Sequence, residues 1–186
     1  MSIHLFLCNL SNEKSDILNN IFNDREYMFL VKDILDNEKF ETLKNNKHHG
    51  LTRYDHSLRV SYYSYKITKF LKLNYNETAR AGLLHDFFDN DDLQTREQKL
   101  SAFYHPKKAL ENSEILYKLS DREKNIIISH MFPLIPQKVP KYLESWLVSL
   151  VDKIVATYEF GYAYGPILSH KLVETYMISL IILKSL

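Results

Sequence analysis

Residues 79–88 read ARAGLLHDFF, and the helix that this stretch closes is the clearest element of the chain. Small and apolar side chains lead up to an adjacent histidine and aspartate, His85 and Asp86, where the helical pattern stops. The preceding stretch, residues 52–60 (TRYDHSLRV), opens another helix, whose apolar and aromatic positions recur at alternating spacings of four and three. We therefore predict two successive helices, with a histidine at the start of the first and another at the end of the second.

Helix-start signals recur along the rest of the chain. The candidates are caps at Asp55 and Asn76, first-turn prolines at Pro106, Pro140 and Pro166, and a capping box at residues 120–123. Residues 24–43 predict one earlier amphipathic helix. Alternating strand patterns and two-residue hairpin turns are not evident. The fold class predicted from these signals is all-α.

Length and composition predict one domain. The chain has 186 residues, with 45% apolar and 25% charged types, which is enough for one sizeable core. Glycine and proline are sparse, and no linker or repeat separates parts of the chain. We expect an N-terminal helical segment at residues 1–47 packed on the core, a core domain at residues 48–160, and a C-terminal helix of the same domain at residues 161–186.

Net charge and cysteine content limit the binding partners and the cellular compartment that we expect. A net charge of +1 gives no overall attraction to nucleic acid or anionic membranes. No run of about 20 apolar residues predicts a membrane span, and the first residues lack a signal peptide's basic region. Cys8 is the single cysteine, which excludes an internal disulfide and fits a reducing, cytoplasmic compartment. The apolar residues 176–186 fit either the core or the seam of a homodimer.

Four of the eight histidines occupy matching positions in successive predicted helices. His56 and His105 each start a helix, and His85 and His130 each end the helix that follows. In an antiparallel helical pair, the start of one helix and the end of the next lie at the same end. The pattern thus places four imidazoles at one end of a bundle. Asp86 comes with them, and Asp152, inside the helix after Pro140, projects inward from a fifth element.

Imidazoles combined with carboxylates suit transition metals such as Mn, Fe, Co, Ni or Zn better than Mg or Ca. Four histidines and two aspartates exceed the needs of one catalytic ion and match two ions that share a carboxylate. Two ions roughly 3.5–4 Å apart lower the pKa of a bridging water and hold the oxygens of an in-line displacement, for which phosphoryl groups are a natural target. A single histidine at a helix terminus is more often a cap or a surface group than a metal ligand, so the prediction depends on all six residues meeting at one end of the bundle.

Several motifs resemble the HD superfamily of phosphohydrolases. They are residues 52–60, 79–87, 104–112, 129–134 and 144–153, so the resemblance covers about residues 48–160. It implies a single-domain, all-α helical bundle and hydrolysis of a phosphate ester. The implied substrate is a small phosphorylated molecule, with a nucleotide as first choice.

The resemblance also implies a ligand set. A first metal site would use His56, His85, Asp86 and Asp152. In branches of the superfamily with additional histidines, His105 and His130 would hold a second ion, with Asp86 bridging the two. That bridging position would make Asp86 a catalytic residue as well as a ligand.

Further residues near these ligands are candidates for handling the substrate. His49 is a candidate general acid or phosphate contact, and Lys153, next to Asp152, is a candidate for meeting a phosphate. Arg53, Lys107 and Lys108 are candidates for binding an anionic substrate. For each of them, an ordinary solvated side chain is the competing interpretation.

One branch of the superfamily does not fit. The cyclic-di-GMP phosphodiesterases carry a glycine and a lysine shortly after the His-Asp pair, where this chain has Phe88 and Asp89. They also carry paired histidines where His130 stands alone, so we set cyclic-di-GMP aside as a substrate.

Two alternatives to a phosphohydrolase stay open. One is a di-iron oxygenase with the same ligands, and the other is a regulatory module that binds a nucleotide without converting it.

Overall fold

Helices make up nearly all the regular structure in the computed structural model, which describes residues 14–48, 51–89, 92 and 103–164. The helices are α1 (Lys14–Asn23), α2 (Arg25–Leu35), α3 (Glu38–Glu41), α4 (Arg53–Phe70), α5 (Tyr75–Leu84), α6 (His105–Leu116), α7 (Asp121–Ser129) and α8 (Leu143–Tyr164), with a 3₁₀ helix at Thr42–Asn45. Two short strands, β1 (Lys47–His48) and β2 (Leu51–Thr52), pair antiparallel. The predicted all-α class is confirmed, and the small hairpin before α4 is an element that the sequence did not predict.

Two of the predicted caps are wrong by a few residues. The hydroxyl of Thr52, which has an extended backbone, accepts a hydrogen bond from the Asp55 amide at 3.1 Å and so caps α4. Asn74, rather than Asn76, caps α5 by accepting from the Glu77 amide at 3.1 Å. In each case the cap lies outside the helix, because its side chain must reach back to amides that have no partner in the first turn.

The predicted helix over residues 24–43 is broken. Asp24 caps α2, which ends at Leu35, and Asn37 then accepts hydrogen bonds from the amides of Lys39 and Phe40 to begin α3. An asparagine that caps a new helix in this way competes with continuation of the old one.

The predicted start of the last described helix is also wrong, because α8 begins at Leu143 and not at Pro140. The Lys141 amide instead donates to Asn125 Oδ1 at 2.8 Å, which ties this segment to α7. The capping box of α7 is confirmed, with Ser120 and Glu123 bonding reciprocally.

Helices α4 and α5 approach each other closely at Gly82. A Cβ atom at this position would lie 3.0 Å from the Cα of Ser61, so only glycine fits without displacement. Ser61 donates a hydrogen bond to the Ala79 carbonyl at 2.6 Å and accepts one from the Tyr27 hydroxyl at 2.8 Å. These contacts fix α5 against α4 and α2, and they set the depth at which residue 85 enters the bundle.

Helix α8 packs across α4, α5 and α7 and completes the core. Its buried apolar residues include Val148, Val151 and Val155. The helix continues through residue 160 to Tyr164, and the predicted helix after Pro166 lies outside the described residues. None of the helices that the structure describes is both long and apolar enough to cross a membrane.

Candidate metal centre

The ends of four helices bring the histidines together. His56 lies in the first turn of α4 and His105 begins α6, while His85 and His130 follow the last residues of α5 and α7 as their C-caps. The ring centroids of His85 and His130 are 4.9 Å apart, and those of His105 and His130 are 5.0 Å apart. His56 lies 5.4 Å from His85 by the same measure. All four imidazoles therefore form one cluster.

Asp152 joins this cluster from the middle of α8. Its Oδ1 atom lies 3.0 Å from His56 Nε2 and 3.5 Å from His85 Nε2. The three side chains are buried, and their facing atoms lie within 4.8 Å of one another. They form a group that could hold one ion.

Asp86 lies between two pairs of histidines, of which the first is His56 and His85 and the second is His105 and His130. Its Oδ2 atom faces His85 Nε2 at 3.9 Å, whereas Oδ1 faces His105 Nε2 at 3.5 Å and His130 Nε2 at 3.6 Å. Since the two oxygens face different imidazoles, this carboxylate is placed to join two ligand groups. The structure thus brings together all six residues that the sequence singled out as ligands.

The chemistry of the cluster fits a divalent cation. His85 is completely buried, and its Nε2 atom forms no hydrogen bond within the described part of the chain. A buried ring nitrogen without a hydrogen bond is costly, and a cation at that point would satisfy it. Imidazole nitrogens and carboxylate oxygens are ligands for first-row transition metals. The cluster is therefore compatible with metal binding.

Hydrogen bonds on the outer side of the rings set their orientation. His85 Nδ1 lies 2.8 Å from the Gly82 carbonyl, and His130 Nδ1 lies 2.8 Å from the Ile127 carbonyl. A carbonyl oxygen only accepts, so both Nδ1 atoms carry the proton. The Nε2 lone pairs of neutral rings then point into the cluster, as metal ligands require.

His56 has a different outer partner, Glu159, which the sequence did not single out. His56 Nδ1 lies 2.8 Å from Glu159 Oε2, and Arg59 approaches Glu159 Oε1 at 3.5 Å. Burial opposes a charge on His56, but Glu159 and Asp152 outweigh it and raise the pKa of His56 to about 10. The available signal was spacing: Glu159 follows Asp152 by seven residues, or two helical turns, which places both on one face of α8.

Three other groups of the cluster, His105, His130 and Asp152, have pKa values shifted in the opposite direction. Burial, reinforced by His85 and His105, holds the pKa of His130 well below its ordinary value. Burial also lowers the pKa of His105. Although burial alone would raise the pKa of Asp152, Lys153 and His56 hold it well below its usual range. At neutral pH these groups are two neutral imidazoles and a carboxylate.

The remaining candidates lie at different distances from the cluster. Lys153 borders it, since its ammonium donates to the His130 carbonyl and to Asp152 Oδ2 at 3.1 Å. Lys107 and Lys108 instead approach Glu111, at 3.7 and 3.8 Å, and the Lys107 side chain is 74% exposed. His49 lies outside the described residues. The roles predicted for these residues stay predictions.

Arg53 is buried beside the second pair of histidines. It donates from Nη1 to the Phe88 carbonyl at 2.9 Å, and its guanidinium lies 3.8 Å from the centre of the Phe88 ring. The His105 ring also stacks on Phe88, with the two ring centroids 5.4 Å apart. Phe88 therefore contacts both the Arg53 guanidinium and His105, a candidate ligand. The sequence had identified Phe88 only as a departure from one branch of the superfamily.

The fold and the cluster define a class: all-α proteins with a buried group of histidines and aspartates that could hold a metal ion. The family model for the HD domain matches residues 53–157, which is 105 of the 186 residues. The chain belongs to the HD domain family, whose members are mostly metal-dependent hydrolases. Neither the curated proteins nor the solved structures contain a match to it.

Proposed function

We propose that this protein is a phosphohydrolase that cleaves a phosphate ester with two divalent transition-metal ions, drawn from Mn, Fe, Co, Ni and Zn. The observation that carries the proposal is the position of Asp86, whose Oδ2 faces His85 while Oδ1 faces His105 and His130. A carboxylate directed at two groups of imidazoles is the feature expected of a bridging ligand in a two-metal site.

The residues divide into two ligand sets. His56, His85 and Asp152 would hold one ion, and His105 and His130 the other, with one oxygen of Asp86 directed at each. When bound, such a pair of ions supplies an activated water and stabilises charge on phosphoryl oxygens. Membership of the HD family supports the same reaction class.

The protein's own groups have supporting tasks in this proposal. Lys153 fixes Asp152 through its contact with Oδ2 and contributes positive charge at the edge of the cluster. Arg53 provides a buried cation next to Phe88, the ring on which His105 stacks. Together with His49, Lys107 and Lys108, these groups would contact an anionic substrate, for which we propose a nucleotide or another small phosphorylated metabolite.

Phosphate release from a panel of nucleoside mono-, di- and triphosphates tests this function. The full chain, loaded with Mn²⁺, should release phosphate from at least one of them, and chelator should abolish the release. In ¹⁸O-labelled water, the label should appear in the phosphoryl product. Asp86→Asn serves as the inactive control, and Cys8→Ser should retain full activity because the reaction needs no protein nucleophile.

Two other results would replace the proposal with the alternatives that the sequence left open. Consumption of molecular oxygen by the iron-loaded protein, with an electron paramagnetic signal from a mixed-valent pair, would indicate a di-iron oxygenase. Saturable nucleotide binding by the metal-loaded protein, with no product from any member of the panel, would indicate a regulatory binding module.

A further inference from the structure

Glu159 is a completely buried carboxylate to which the proposed reaction gives no task. It lies on α8 two turns after Asp152, and both contact the same imidazole. Glu159 Oε2 is 2.8 Å from His56 Nδ1, and Asp152 Oδ1 is 3.0 Å from His56 Nε2. The His56 ring is thus held between two carboxylates of one helix.

This arrangement distinguishes His56 from the other histidines of the cluster. His85 and His130 direct Nδ1 at the backbone carbonyls of Gly82 and Ile127. Among the described residues, the Nδ1 contact of His56 is the only one in the cluster that ends on a carboxylate. A charged acceptor makes the opposite ring nitrogen a stronger donor to a metal than a neutral carbonyl does.

Arg59 places a positive charge beside the buried carboxylate of Glu159. It lies one helical turn after His56 on α4, and its Nη1 atom is 3.5 Å from Glu159 Oε1. Arg59 therefore restrains the carboxylate through Oε1, the oxygen that does not contact His56. The other carboxylate oxygen of Glu159, Oε2, faces the His56 ring.

We propose that Glu159 is a positioning residue that makes the two ion positions unequal. It holds the His56 ring with Nε2 directed at Asp152, so that the set of His56, His85 and Asp152 binds its ion more tightly. Among the described residues, no such carboxylate supports the set of Asp86, His105 and His130, which binds its ion more weakly, so this second ion exchanges. The inference rests on the two-metal function proposed above.

A titration of the metal-free full chain with Mn²⁺, followed by the electron paramagnetic signal of the free ion, tests the inference. The wild type should bind two ions in two separable steps. Glu159→Gln should weaken the first step about 10–100-fold, the usual effect of losing an outer partner of a ligand, and leave the second step within about threefold. Glu144→Gln removes another buried carboxylate of α8, one that pairs with Arg122, and should change neither step.

The results of this titration test the role of Glu159 separately from the proposed two-metal function. A wild-type protein that binds no ion removes the proposed function, and the inference with it. A wild type that binds two ions with equal affinity, or a folded Glu159→Gln variant with an unchanged first step, overturns the inference alone.

Nitrogen-15 spectra of the Zn²⁺-loaded wild type give a measurement that does not depend on any variant. They should show His56 protonated on Nδ1 and bound to the metal through Nε2. The opposite arrangement overturns the positioning role even if Glu159→Gln fails to fold.

Discussion

His105 Nε2 and His130 Nε2 lie 2.9 Å apart, although 25 positions separate the two residues in the chain. The ends of α6 and α7 impose this contact, and burial lowers the pKa of both rings. His130 Nδ1 is occupied by the Ile127 carbonyl, so in the metal-free protein His105 donates to His130. A metal ion bound by these two nitrogens would replace the proton that they share.

Asp86→Asn should empty both ion positions. The substitution keeps the shape of the side chain but removes the negative charge that faces His85 on one side and His105 and His130 on the other. Elemental analysis after reconstitution with Mn²⁺ should fall from about two ions per chain to well below one. Asp33→Asn, which alters an ion pair with Arg80 on the surface, is the matched control and should retain both ions. Full occupancy in Asp86→Asn would show that this carboxylate is not a bridge.

His105→Ala should remove the second ion and spare the first. His105 contacts Asp86 and His130, whereas the contacts of His56 and Asp152 lie on the other side of the cluster. The variant should keep about one ion per chain and lose activity by at least about a hundredfold, since one ion alone cannot hold both the attacking and leaving oxygens. Metal content and phosphate release are measured on the same preparation. A variant that keeps two ions and full activity would contradict this assignment.

The metal-free protein should become less stable as pH rises above neutrality. The pKa of His56 is about 10 in the folded chain and about 6.5 when unfolded, so the folded state binds a proton more strongly. This contribution is complete below pH 6.5 and is lost as pH rises through about 10. Urea unfolding between pH 6.5 and 10 should show a decline on the order of a few kcal/mol.

His56→Gln provides the comparison for that pH series. The glutamine carries no titrating proton between Asp152 and Glu159, so its stability should change much less over the same range. Parallel curves for the wild type and the variant would mean that another group controls the pH dependence.

Gly82→Ala should destabilise the protein although alanine is the better helix former. The added methyl group would meet Ser61 Cα at 3.0 Å, and overpacking of this kind costs about 1–3 kcal/mol. The gain in helix propensity is only about 1 kcal/mol. The Gly82 carbonyl also accepts from His85 Nδ1, so displacement of α5 should weaken metal binding as well.

Thermal unfolding and a Mn²⁺ titration measure the two effects of Gly82→Ala together. Asn76→Ala, on the exposed face of the same helix, is the control and should leave both unchanged. A Gly82→Ala protein as stable as the wild type would mean that α4 and α5 separate at little cost.

Helix positions along the chain could be predicted because they follow from local physics. The periodic side chains of residues 52–60 and the capping box at Ser120 and Glu123 act within one or two helical turns. The errors were equally local: several polar residues compete to cap each start, and Thr52 and Asn74 prevail over Asp55 and Asn76. Spacing alone does not show which residue has the non-helical backbone that a cap needs.

The histidine pattern predicted that four histidines and the adjacent Asp86 would meet, because the start of one helix and the end of the next lie together in an antiparallel pair. Asp152 was expected there only from its position inside the helix after Pro140. The contacts of Glu159 and Phe88 could not be predicted from the positions of helix ends. Glu159 contacts His56 across 103 positions of the chain, and Phe88 contacts both Arg53 and His105. These contacts depend on how α8 and the segment after α5 pack, and packing is set by side-chain volumes over the whole core. The amino-acid pattern therefore defined most of the helices and the candidate metal ligands, whereas tertiary packing alone selected the outer groups that contact them.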